Sequence, residues 1–335
     1  MLKTDQDNLI REIQNAHEYA QQFLDAYERN RKVMHGPKFR SDKGSDMEYM
    51  PVNVVHEWMS RVRPRISHKD PWWRIKSKRA GAFQMVGKGL SHAMNSWTQQ
   101  QAMHKCNRKL CSDFGLAWFV ARIQPAESDS ELWAEFDDVV TLPHVERISP
   151  ARFFWDPMAL SPEECRFYGH FWVKDHDDLI REAEEDPDSW NAKIVNQLTP
   201  GANRSYLRTG TSDDDADDEY AVDRGEIVGC SVWFPELRPD EDMGPEDGFN
   251  GGGVDLAMQA KGGDGDGKED GCIIRPMRAF YGPRWGPYVW CGADIVPDET
   301  AYLSPITAAA TQIDDLNKIA KREIINAQGY RRLVF

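Results

Sequence analysis

The sequence predicts an α+β protein, with helices packed against mixed or antiparallel strands and one long helix at its end. Three observations carry that prediction. Apolar residues recur at three- and four-residue spacing through about residue 112. From Phe114 they gather into short runs rich in Trp, Phe, Val and Ile, separated by Pro, Asp and Ser. From Ser304 the helical spacing returns. At 335 residues, 40% hydrophobic and with 12 Trp, the chain is long enough to bury a core in one large domain or two ordinary ones.

Thr4 with Asp7 three residues on forms a capping-box pattern. Leu9, Ile13, Ala16, Ala20, Phe23 and Tyr27 then predict an amphipathic helix to about Val33, stopped by Gly36-Pro37. Pro51 suits the first turn of a second helix carrying Val55, Trp58 and Val62, which Pro64 breaks. A third helix starts near Ala82, and its stripe of Phe83, Val86, Leu90, Ala93 and Trp97, continued by Met103, Cys106 and Leu110, reads as core. Strands are predicted at 114–123, 131–140, 144–148, 166–173, 226–234, 272–281 and 287–296. Asp175 and Asp178 start a short helix, and another runs from about Ser189 to Leu198. Residues 240–271 are rich in Gly and Asp and read as a long mobile loop. In the last helix Ser304 caps, Pro305 starts, and Ile306, Ala309, Ile313, Leu316, Ala320, Ile324 and Ala327 form the stripe. The expected organisation is a body over 1–300, helical over 1–112 and strand-rich over 113–300, followed by the helix region 301–335.

Charge is segregated along the chain. The formal net charge is −14, yet residues 28–109 hold 18 Lys/Arg against 6 Asp/Glu, a local +12, so the remainder sums to −26. Arg61-Val-Arg-Pro-Arg65 and Arg74-Ile-Lys-Ser-Lys-Arg79, the latter directly after Trp72-Trp73, are basic residues set among aromatics. That composition can hold a nucleic-acid backbone; a polar outer face or a patch meeting an acidic neighbour would share it. The acidic run Asp213-Asp-Asp-Ala-Asp-Asp-Glu219 would repel DNA and belongs on an outer surface. No apolar run approaches the ~20 residues of a membrane span, and the N-terminus has no secretory h-region, which fits assembly in a cytoplasm-like compartment. The six cysteines form no C-x-x-C and read as reduced thiols; Cys106 and Cys111 would point about 140° apart on a helix, too far to share one zinc.

Enzyme motifs come only as near misses. Gly81-Ala-Phe-Gln-Met-Val-Gly87-Lys88-Gly89 has one residue too many for a P-loop, puts Gly89 where Ser/Thr must bind magnesium, and lies within a helical pattern. Asp264, Asp266 and Glu269 resemble a calcium loop, but Lys268 takes the next ligand position. The carboxylates of 213–219 offer a metal-dependent hydrolase as the less favoured alternative, set against a solvated loop. Hence no catalytic residue, no cofactor and no metal site is assigned.

Three segments, in order and spread over most of the chain, resemble the portal (head–tail connector) proteins of tailed bacteriophages. Pro51-Val-Asn-Val-Val-His-Glu-Trp58 with Arg61-Val-Arg-Pro64, followed by Leu90 to Asn95-Ser-Trp97, is similar to the family's early helices. Ile148-Ser-Pro-Ala-Arg-Phe-Phe-Trp-Asp-Pro157 is similar to its strand-ending segment, and Tyr302-Leu-Ser-Pro305 with Gln312-Ile-Asp-Asp-Leu-Asn317 to the start of its long stem helix. The resemblance implies a portal-like wing up to about residue 300 and a stem-like helix after it. It also implies a virion ring of about twelve copies at one capsid vertex, meeting the terminase motor, the tail adaptor and the capsid protein, with double-stranded DNA passing through without sequence specificity. The clip, second stem helix and crown that follow in that family are absent, so the match is to its N-terminal portion. Lys318, Lys321 and Arg322 are the candidates to face the channel; pairing with Asp314, Asp315 or a neighbouring subunit is the equal alternative. Another phage structural or scaffold interaction protein remains the runner-up.

Overall fold

The computed structural model of the chain describes residues 3–35, 53–66, 72–76, 82–100, 103–126, 142–187, 189–198, 200, 225–235, 249–259, 270–281, 286–296 and 300–332. They form a mixed α+β protein with antiparallel pairing. Its first helix, α1 (Lys3–His35), starts before Thr4, so Thr4 sits inside the first turn rather than capping it. Leu9, Ile13, Ala16, Ala20, Leu24 and Tyr27 are buried at helical spacing along it. The chain divides into two compact units: Met1–Glu28, Ile148–Tyr288 and Ile295–Tyr302 form the first, and Arg29–Arg147, Val289–Asp294 and Leu303–Phe335 the second.

The first unit is built on a five-stranded antiparallel sheet. Strands β3 (Phe153–Trp155), β4 (Tyr168–Asp175), β5 (Glu226–Phe234), β6 (Phe249–Gln259) and β7 (Asp270–Tyr281) lie in sequence order across it. The central strand β5 is buried continuously from Ile227 to Phe234, as a strand covered on both faces must be. Helices α5 (His176–Glu185) and α6 (Ala192–Val195) supply one cover, with Leu179, Ala183 and Val195 gathered on Ile227, Ala257 and Ile274. Helix α1 supplies another: His17 sets its ring edge-on to Phe171 at 5.0 Å, and Tyr19 and Phe23 meet Trp155. Opposite Trp172 stands Gly229, where a Cβ would lie 2.3 Å from the indole, so the ring can lie across the sheet only because that residue is glycine. Asp175 caps α5 by accepting from the Asp177 amide at 3.0 Å, as its position at the strand end predicts.

Asp156 closes the turn after β3. Its buried carboxylate accepts from the Met158 amide at 3.0 Å and from Arg166 Nε at 2.6 Å and Nη2 at 3.1 Å. Burial alone would raise its pKa, but these hydrogen bonds outweigh burial and hold the group below the usual carboxylate range.

Residues 240–271 depart from the expected long loop, because their middle is strand β6. Val254, Leu256 and Met258 alternate along it and are buried with Asp255 and Ala257 between them, giving a strand flanked by polar, glycine-rich chain. Its last two residues, 270 and 271, open β7, while 240–248, 260–269 and the predicted strand 131–140 lie outside the described residues.

In the second unit, α2 (Val54–Ile66) begins three residues after Pro51, with the Asn53 carboxamide oxygen accepting from the His56 amide at 2.9 Å. Val55 and Met59 are its buried residues, and Trp58 faces outward instead of joining them. Pro64 does not break α2. It lies in the last turn, where the Ser60 carbonyl it cannot serve is solvent-exposed. After α3 (Ala82–Gln100), α4 (Met103–Leu116) runs on through Phe114, so strand β1 (Trp118–Ala126) starts four residues later than predicted. Buried Asp113 takes two hydrogen bonds from Arg147 in β2 (Leu142–Ile148), at 2.5 and 2.8 Å, tying helix to sheet. Strand β8 (Tyr288–Gly292) joins β2 and β1 in the order β2-β1-β8.

Short strands β9 (Asp294–Ile295) and β10 (Tyr302–Leu303) lead to α7 (Pro305–Ala308) and α8 (Ala310–Arg332), the long helix that the sequence predicts as one. Ser304 caps α7 by accepting from the Ile306 amide and donates to the Gly115 carbonyl at 2.8 Å. Among the described residues no helix is long and apolar enough to cross a membrane.

The predicted core stripe of α3 is overturned. Phe83, Val86, Leu90 and Ala93 are all exposed, and Trp97 is half-buried; the residues this helix buries are Gly87, Asn95 and Thr98. Its polar side instead hydrogen-bonds the backbone of residues 72–76 through Asn95 and Ser91.

Candidate nucleic-acid interface

Residues Trp72–Lys76 have no regular secondary structure and lie along one face of α3. Among the described residues no strand pairs with this backbone, and two helix side chains hydrogen-bond to it instead. Asn95 accepts from the Trp73 amide at 2.7 Å and donates to the Trp73 carbonyl at 3.1 Å. Ser91 accepts from the Ile75 amide at 2.8 Å and donates to the Gly87 carbonyl at 2.8 Å. The fit follows from geometry: four helical residues rise about 6 Å, close to the ~6.6 Å between alternate residues of a strand.

Beside this seam lies an open groove of about 930 Å³. Trp72, Arg74 and Lys76 line it from the segment, and Gln84, Lys88, His92 and Gln99 from the helix. Among the described residues no carboxylate lines it, although the whole chain carries −14. Among the described residues Arg74, Lys76 and Lys88 make no ion pair. By contrast Arg61, in the other predicted basic run, is engaged by Glu57 one turn away. Trp72 is 76% exposed and Trp73 42%. Three uncompensated cations beside two accessible indoles form a surface able to hold phosphates and to stack flat rings.

The candidate channel residues lie elsewhere, on α8. Lys318 and Arg322 are exposed and Lys321 is half-buried. Lys318 Nζ stands 3.4 Å from Asp315, the within-helix pairing open to it from spacing alone. None of the three lines the groove.

Sequence reading singled out Trp72-Trp73 and the basic run after them, but missed the helix half of the groove. Its signal was present: positions 84, 88, 91, 92, 95, 96 and 99 are all polar and fall on one helical face. Attention went to the apolar stripe instead, and Lys88 was weighed only as part of the failed P-loop. That Gly81–Gly89 motif runs into α3 and not into a strand-to-helix turn.

Among the described residues no three His, Cys, Asp or Glu side chains gather to hold a metal ion; 213–219 and 264–269 lie outside them. All six cysteines are free. Burial pushes the Cys165 thiol up to about 12 and the Cys272 thiol to about 11, keeping both protonated and unreactive near neutrality. No known family model and no curated protein matches the chain.

Proposed function

We propose that this chain is a structural subunit of a phage portal-type ring, serving double-stranded DNA packaging, ejection and head–tail joining in the virion, and not an enzyme. The observation that carries the reading is the apolar exposure along α8, spread over more than one of its faces. Leu316, Ile319, Ile324 and Ile325 stand in solvent along a helix of 23 residues, with Ile319 60% exposed. Each such side chain forgoes roughly half of the about 1.5–3 kcal/mol that full burial supplies, and repeated apolar exposure of this kind marks an association surface. A ring is held by heterologous contacts, which need two different patches on every subunit. The exposed Phe83, Met85, Val86 and Leu90 of α3 supply a second patch in the same unit. The three portal-like segments are the other support, and the terminase motor, tail adaptor and capsid protein are partners by that resemblance alone.

The test is assembly of the chain, followed by sedimentation and electron microscopy. Rings of about twelve subunits are expected, and Ile319→Glu with Ile325→Glu should leave monomers. Monodisperse monomers at every concentration would sink the proposal. Closed association without a central hole would turn it toward the structural or scaffold interaction protein.

A further inference from the structure

We infer that the groove between Trp72–Lys76 and α3 binds a short stretch of single-stranded nucleic acid. This goes beyond the ring reading and does not rest on it, because a channel for duplex DNA needs neither indole. Three features select the ligand. First, the charges that the described residues bring to the groove are all positive: Arg74, Lys76 and Lys88, with no carboxylate among them. Its ligand is therefore anionic, and the cations are distributed along the groove as a repeating backbone requires. Second, Trp72 and Trp73 offer 76% and 42% of their surface to solvent. A duplex keeps its base faces stacked on one another, so accessible indoles have value chiefly against unpaired bases. Third, the segment carrying the indoles is pinned by Asn95 and Ser91 through its backbone. Binding thus need not order that backbone first, which lowers the entropic cost of capture. From Gln84 to Gln99 the helix runs about 22 Å at 1.5 Å per residue, room for on the order of four nucleotides.

An acidic peptide, such as the run 213–219 of another copy, would satisfy the cations but leave both indoles unused, so the observations favour nucleic acid. The experiment is fluorescence anisotropy of the full chain with a labelled oligothymidylate of about twelve nucleotides, beside a labelled duplex of the same length. The oligothymidylate should bind at least tenfold more tightly than the duplex. Trp72→Ala should weaken it roughly tenfold and Trp72→Phe should restore most of that, both with unchanged thermal unfolding because the side chain is exposed. Changing Arg74, Lys76 and Lys88 together to Gln should reduce the slope of log affinity against log salt by about 2, from three phosphate contacts at ~0.7 each. Changing Lys318, Lys321 and Arg322 should leave binding intact, and the Ile319→Glu, Ile325→Glu monomer should still bind, which separates this result from the fate of the ring. Equal affinity for duplex and single strand with no effect of Trp72→Ala would overturn the inference. So would absence of binding, or capture of a synthetic 211–221 peptide in a Lys88-dependent manner without capture of the oligothymidylate.

Discussion

In the first unit Phe153, Phe154, Trp155 and Phe171 are buried in a sheet that helices cover. In the second, Trp72, Phe83, Met85 and Val86 stand in solvent on a helix and the segment pinned to it. The second unit pairs Asp113 with Arg147, but the cations of its groove differ. Asp156 and Lys174 of the first unit are matched by Arg166 and Glu182, whereas Arg74, Lys76 and Lys88 of the second have no ion pair among the described residues. A buried aromatic ring removes 150–250 Å² from water, worth several kcal/mol at about 25 cal/mol per Å². The first unit realises that gain within the chain. The second buries Trp118 in the same way but leaves Trp72, Phe83 and Met85 exposed, open to whatever it meets.

The sharpest way to break this contrast is truncation. Trp155→Ala should cost about 3–5 kcal/mol, since Trp155 is fully buried beneath Tyr19 and Phe23. Urea unfolding reads the change as a lower midpoint. A cost under 1 kcal/mol would mean that the aromatic cluster is not the centre of stability.

Next in size is a pH effect confined to the first unit. Burial lowers the His17 pKa to about 4, and Gln21 Nε2 lies 2.8 Å from its Nε2, an arrangement suited to the neutral ring. The unfolded chain takes up the proton near pH 6.5 and the folded chain only near 4. The contribution is therefore complete above about 6.5, is lost as pH falls between 6.5 and 4, and changes no further below. At ~1.4 kcal/mol per unit the full loss is about 3 kcal/mol. His17→Gln should flatten stability across that window; an unchanged slope would place the titrating group elsewhere.

How much of this was legible beforehand follows the same division. The long helices α1 and α8 could be read because their spacing is uninterrupted, and Asp175 and Ser304 because a cap is a local decision. Strand β6 was hidden because Gly and Asp dominate its surroundings, although Val254, Leu256 and Met258 alternate as a strand should. The errors in α2 and α3 have another source. Periodicity reports that a helix has an apolar side, not that the chain itself covers it, so Phe83 and Leu90 of the stripe read as core stand exposed, and Trp58 does not share the burial of Val55. The groove was half legible: Trp72 and Arg74 are neighbours in sequence, but Lys88 and Asn95 join them only once the segment has folded onto α3.

The smallest expected stability effect is the most informative about the second unit. Phe83 is a large aromatic on an apolar helical stripe, and in a core its replacement by Ser would cost as much as Trp155→Ala. Here the residue is 52% exposed, so Phe83→Ser should change the unfolding free energy of the monomer, read from urea titration, by under about 0.5 kcal/mol. Association should respond instead, with the same substitution weakening any assembly that uses this face, measured by sedimentation across a concentration series. A loss of several kcal/mol in the monomer would show that this face is covered within the chain. The division between a unit that buries its aromatics and a unit that presents them would then fail at its most exposed helix.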